Sequence, residues 1–126
     1  MTIEIHLSHE PLTMDEILAP GAGAVMRFTG VVRPLENDRP ISALVYEGYE
    51  PMAARIMRDI IVTLGESHPA DHVRVQHRLG QIPVGEAAII VEVASKHRGP
   101  AIEIISKFMD QLKLDVPIWK TRAIAQ

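Results

Sequence analysis

Apolar and polar positions along the chain alternate with two different periods, and the changes of period mark out its elements. Ile3, Ile5 and Leu7 alternate with polar residues over Thr2–Leu7, which predicts a strand. Thr13 and Glu16 stand as a capping-box pair and predict a short helix through about Leu18, broken by Ala19-Pro20-Gly21-Ala22-Gly23. Ala24–Arg33 predicts a second strand, with Met26, Phe28 and Val32 on one face and Arg27, Thr29 and Arg33 on the other. Pro34–Pro40 reads as a polar loop with turn chemistry at Asn37-Asp38, and Ile41–Tyr49 as the next strand. From Pro51 to Glu66 the period lengthens. Met52, Ile56, Ile60 and Leu64 recur every four residues, and Pro51 suits the first turn of a helix. Val73, Val75, His77 and Leu79 then alternate with Arg74, Gln76 and Arg78 as a half-buried strand, and Gly80–Glu86 reads as a turn segment. Ala87–Ala94 is almost continuously apolar and predicts a central strand covered on both faces. Ala101, Ile104, Ile105, Phe108, Met109 and Leu112 keep helical spacing, predicting a helix from near Pro100 to about Leu114. Pro117–Arg122 closes the chain as a short strand or extended arm.

Helices separated by pairs of strands argue an α+β fold with a largely antiparallel sheet and two main amphipathic helices, and disfavour a Rossmann-type sheet. The 126 residues show no repeat or low-complexity stretch, so residues 1–126 are expected to form a single domain. The absence of Cys excludes disulfides, thiolate-bound zinc, iron–sulfur clusters and a thiol nucleophile of the chain's own. No signal-peptide pattern opens the sequence, and its apolar runs fall far short of the ~20 residues that cross a bilayer, so a soluble, cytoplasmic protein is expected. A net charge of −3 argues against a nucleic-acid surface. The charge is uneven, however. Residues 1–94 hold 7 Lys/Arg against 13 Asp/Glu, whereas residues 95–126 hold 6 against 3, which suggests a local anion site.

Three places could carry chemistry. Ser95-Lys96-His97-Arg98-Gly99-Pro100 joins the most apolar strand to the most amphipathic helix, where free amides, His97 and Arg98 could hold an anion; a solvated loop is the plain alternative. Lys113 falls at the end of the last helix, a position the helix dipole already favours for a cation. Lys120 follows Ile118 and Trp119, whose bulk could desolvate its ammonium and ready it for proton transfer or nucleophilic attack; a solvated strand lysine is the plain alternative. His68, His72 and His77 lie close in sequence, but Pro69 interrupts the first pair and no carboxylate pattern follows, so no metal site is expected. His77 reads as a satisfied core histidine on the apolar face of its strand.

Ordered blocks then resemble one family. Arg27-Phe28-Thr29-Gly30-Val31-Val32-Arg33, Leu44–Tyr49 with Met52-Ala53, His77-Arg78-Leu79-Gly80 with Val84-Gly85-Glu86, Ser95-Lys96-His97-Arg98, and Lys113 before Pro117-Ile118-Trp119-Lys120 are similar to the catalytic (large) subunit of molybdopterin synthase. The resemblance implies an α/β-hammerhead fold that dimerises through its large subunits. Each would bind a small ubiquitin-like sulfur-carrier subunit, giving a heterotetramer. It implies conversion of cyclic pyranopterin monophosphate into molybdopterin, with two dithiolene sulfurs supplied by a thiocarboxylate at the carrier's C-terminal glycine and no permanently bound cofactor. A chain without Cys cannot carry a persulfide, which agrees with sulfur arriving on a partner. By matching position, Val31, Val32, Arg33, His97, Arg98, Lys113, Lys120, Thr121 and Arg122 would line the substrate pocket, with Lys113 and Lys120 catalytic. The chain departs from the pattern in lacking a glycine near Asn37-Asp38. It also reads Lys120-Thr121-Arg122 where a basic–acidic pair is usual, and its tail is short. A non-catalytic module of the same fold, binding a carrier tail or a phosphate ligand, is the alternative.

Overall fold

In the computed structural model, which describes residues 1–126, the chain runs β1 (Thr2–Ser8), β2 (Ala24–Val31), β3 (Leu35–Glu36), β4 (Arg39–Gly48), α1 (Glu50–Ser67), β5 (His72–Arg78), β6 (Gly80–Pro83), β7 (Ala87–Ser95), α2 (Arg98–Asp115) and β8 (Ile118–Ala125). The apolar run becomes β7, one of the two inner strands of a sheet ordered β1-β5-β7-β2, and its residues Ala88–Ser95 are all buried. β7 pairs antiparallel with β5 and β2, while β1 joins β5 in parallel. Both helices pack on one face of this sheet. Ala53, Met57, Ile60 and Ile61 of α1 and Ala101, Ile104 and Phe108 of α2 meet Val73, Val75, Ile89, Val91 and Val93 in the main core. Each large aliphatic buried there stabilises the fold by about 1.5–3 kcal/mol.

The opposite face carries polar side chains under a strap of chain. Arg27, Glu92 and Arg74 stand in one row across β2, β7 and β5. Glu92 is only 1% exposed and accepts hydrogen bonds from both guanidinium groups. The same guanidiniums donate to the carbonyls of Met14 and Asp15, and the Gln76 amide bonds both the N–H and the carbonyl of Thr13. This row overturns the helix expected over Thr13–Leu18. The segment has no helix because its carbonyls serve the sheet below instead of amides in the next turn.

A second, smaller sheet sets β4 between β6 and β8, with β3 folded onto the start of β4. Its core is Val32, Ile41, Leu44, Ile82 and Ala88. Two expected loops contain strands here. Within Pro34–Pro40 a hairpin forms, with Asn37 and Asp38 both at positive φ (51° and 64°), and Gly80–Pro83 is β6, anchored by the fully buried Ile82. The terminal arm also extends further than expected, to Ala125. Of the expected Met52-Ile56-Ile60-Leu64 row, Ile60 is buried, Ile56 and Leu64 pack half-buried against the core and Met52 is exposed, while Ala53, Met57 and Ile61 complete the buried face of α1. α2 starts two residues before Pro100, with His97 at its N-cap. No helix is long and apolar enough to cross a membrane.

Candidate functional site

The two sheets meet at an open cavity of about 420 Å³. Its wall comes from the end of β2 and the residues after it (Gly30–Arg33), from Glu36 of β3, Tyr46 of β4, His77 of β5, the last turns of α2 with Lys113, and Ile118–Lys120 of β8. Most of the wall is apolar, and a few charged groups converge on it, as in most small-molecule sites. Val31, Val32, Arg33, Lys113 and Lys120 therefore come together, although they are spread over ninety positions of sequence.

The aim of Lys120 depends on a fault in the β4–β8 ladder. Val45 pairs with Arg122, but the next residue, Tyr46, pairs with Lys120, so Thr121 is an extra residue bulged out of β8. In an unbroken ladder Thr121 would face Tyr46. Directly opposed residues share a face, so the bulge puts Lys120 beside the cavity-lining Tyr46. The Thr121 hydroxyl donates to the Val45 carbonyl at 3.3 Å. A second slip, in the opposite sense, lies between Ile41 and Ala43, where the Ser42 hydroxyl donates to the carbonyls of Ile124 and Ala125. Thr121 and Arg122 do not line the cavity.

Lys120 is less enclosed than its apolar neighbours suggested. Its side chain is 47% exposed, Trp119 is half exposed, and the Lys120 ammonium donates to Glu36 at 3.1 Å. Glu36 is thus a site residue that sequence reasoning missed, because the hairpin that delivers it had read as loop. Tyr46 was overlooked as well. Burial is the main cause that pushes its phenol above the ordinary value, with Lys120 opposing and Glu36 reinforcing the shift. His77 is 4% exposed, as expected for a core position, but it also forms part of the cavity wall. Its ring stands edge-on to Tyr46 at 5.4 Å, and burial holds its pKa below the ordinary value.

His97 and Arg98 lie elsewhere. Both are exposed at the start of α2, and fifteen residues of helix, about 22 Å of rise, separate Arg98 from Lys113. One chain does not bring them to the cavity that holds the two lysines.

Comparison with known proteins agrees with this fold. Residues 6–115 match the family described as MoaE protein. The molybdopterin synthase catalytic subunit of Homo sapiens is 39% identical over 120 residues, covering 92% of this chain and 64% of that protein; the chain thus spans just under two thirds of this relative's length. The X-ray crystal structure of molybdopterin synthase from Staphylococcus aureus superposes with a TM-score of 0.86 at 30% identity, covering 98% of this chain and 90% of that one. A complex of subunits 1 and 2 of molybdopterin-converting factor from Helicobacter pylori shares the fold, with a TM-score of 0.75 at 23% identity over 98% of this chain and 88% of that one. The family match runs through most of the chain, and the chain belongs to the MoaE protein family.

Proposed function

We propose that this chain is the catalytic subunit of a molybdopterin synthase, converting cyclic pyranopterin monophosphate to molybdopterin with sulfur from a small carrier subunit. The observation that carries the reading is the meeting of Lys113, Lys120 and Arg33 in one largely apolar cavity with no sulfur nucleophile of its own. The apolar wall suits a pterin ring, and Arg33 offers a planar fork to phosphate. One lysine forms the transient covalent adduct, and the other moves protons or holds the thiocarboxylate. Glu36, at 3.1 Å, is the nearest acceptor for a proton leaving Lys120.

The thiocarboxylated glycine of a ubiquitin-like carrier is the proposed sulfur source. The absence of Cys supports this, because the chain cannot hold sulfur as a persulfide. The H. pylori protein of this fold was solved as a two-subunit complex. We further propose a homodimer within a heterotetramer. It would give His97 and Arg98 a role, since a second copy could bring them to the phosphate that their own chain's cavity holds out of reach. The reducing cytoplasm is the proposed compartment.

The test is single-turnover dithiolene formation with thiocarboxylated carrier and precursor, both saturating. Lys120→Ala is expected to lose about 10²–10⁴ in rate, and Lys120→Arg nearly as much, because arginine keeps the charge but cannot give up its proton. An arginine variant within a few-fold of the unmodified chain removes Lys120 from the chemistry. Binding of both partners without turnover by the unmodified chain identifies a non-catalytic module.

A further inference from the structure

His77 has one ring nitrogen engaged and one free. Its Nδ1 lies 2.8 Å from the Arg78 carbonyl, which can only accept, so Nδ1 carries the proton and Nε2 presents a lone pair. Nε2 has no partner within the protein. The Nε of Arg78 is the sole side-chain nitrogen or oxygen both sealed from solvent and unpartnered, so Nε2 of His77 retains an opening. The ring is otherwise enclosed, and the space it lines is the cavity. Tyr46, packed edge-on, fixes the ring plane.

The other charged and titratable groups facing this space are Arg33, Glu36, Tyr46, Lys113 and Lys120. Arg33 and the lysines only donate, Tyr46 has a hydroxyl that can do either, and Glu36 is a charged acceptor already bonded to Lys120. Among these side chains His77 Nε2 alone is neutral and acceptor-only. A ligand that brings N–H groups into this cavity needs such a partner, because an N–H buried there without one loses its bonds to water.

We propose that His77 is a substrate-binding residue whose Nε2 accepts a hydrogen bond from a ring N–H of the bound precursor and so sets the orientation of the heterocycle between the two lysines. This rests on the functional reading above and adds to it the group that reads the ring rather than the phosphate. Burial, which disfavours the imidazolium, keeps the acceptor available at neutral pH.

The experiment measures cyclic pyranopterin monophosphate binding by calorimetry between pH 5 and 8, with melting temperatures, for the unmodified chain, His77→Phe and His77→Gln. His77→Phe keeps a ring against Tyr46 and is expected to weaken binding about tenfold at pH 8, the scale of one lost hydrogen bond. His77→Gln supplies an acceptor oxygen and should recover most of that loss. Affinity of the unmodified chain should fall in acid as Nε2 is protonated, and this fall should vanish in both variants. Unchanged affinity in His77→Phe, or equal losses in both variants that follow their melting temperatures, overturns the proposal. A chain that binds no precursor at all refutes the functional reading instead. The ring nitrogen NMR spectrum then judges His77 by itself: a neutral Nδ1–H tautomer supports the assignment and an Nε2–H tautomer overturns it.

Discussion

The two sheets of this protein solve different problems. The larger one, β1-β5-β7-β2, is sealed on one face by two helices and on the other by a strap bonded to Arg27, Arg74 and Gln76, so its inner strand β7 is buried almost throughout. The smaller one has a core of five buried residues, and β8 lies largely exposed along it. Yet Tyr46, Lys120 and Glu36 all belong to the smaller sheet, while the larger contributes His77 and the end of β2. A deeply buried wall and a largely exposed one thus face each other across the cavity.

The sharpest way to break this contrast is to unpin the larger sheet. Glu92→Ala leaves two guanidiniums without their shared carboxylate. It is expected to cost about 3 kcal/mol, the low end for a buried pair, because Arg27 keeps 26% of its side chain in water. Denaturant melts check this, and faster proteolysis within residues 9–19 should accompany it if the strap is held as described. Gly23→Ala attacks the same sheet at its edge, where an added Cβ would run into the Lys96 carbonyl oxygen. Backbone cannot yield cheaply, so a loss of about 1–3 kcal/mol is expected in the same melts. Lys120→Ala, by contrast, should leave the melting curve unchanged while removing turnover.

Acid should separate the contributions of a buried histidine and a partly exposed carboxylate. His77 has a folded pKa below its ordinary 6.5, so the unfolded chain takes up its proton first, and stability falls as pH drops from about 6.5 through the depressed value. Glu4, lowered chiefly by its bond to His72, adds a second decline that begins only near its ordinary 4.5. Thermal melts against pH should show both limbs, with the upper one absent in His77→Phe. The smallest effect is expected in the smaller sheet. Asp38 holds a left-handed conformation that glycine adopts without strain, so Asp38→Gly should add about 0.5 kcal/mol.

The same contrast explains what could be read from sequence. β7 is legible as an unbroken apolar run and α2 as an apolar stripe at helical spacing, because burial there follows a pattern that each residue's neighbours declare. Thr13–Leu18 misled because its capping pattern is local, whereas the guanidiniums that claim its carbonyls come from Arg27 and Arg74, far along the chain. β3 and β6 were hidden in turn-rich sequence, and Glu36 was hidden with them. Lys113 and Lys120 stand out by their positions in the chain, but only the resemblance joins them with Arg33, since no spacing connects the three. That same resemblance grouped them with His97 and Arg98, which only the length of α2 sets apart. His77 was placed correctly on the buried face. What the sequence could not show is that part of this face is hollow.

The paired faults in the β4–β8 ladder have a consequence for how the C-terminus can vary. Ser42 is surplus on one strand and Thr121 on the other, so the errors cancel, and Ile41 with Ala125 keeps the same phase as Tyr46 with Lys120. Only the three rungs between them are out of step. A dislocation closed at both ends does not travel. Gln126, beyond Ala125, can be trimmed or replaced without disturbing the phase at Lys120. Deleting Ser42 or Thr121 alone would leave one fault uncancelled and force the ribbon either to drop its last rung or to turn Lys120 away from Tyr46. Deleting both together would restore an unbroken ladder with the lysine still in place.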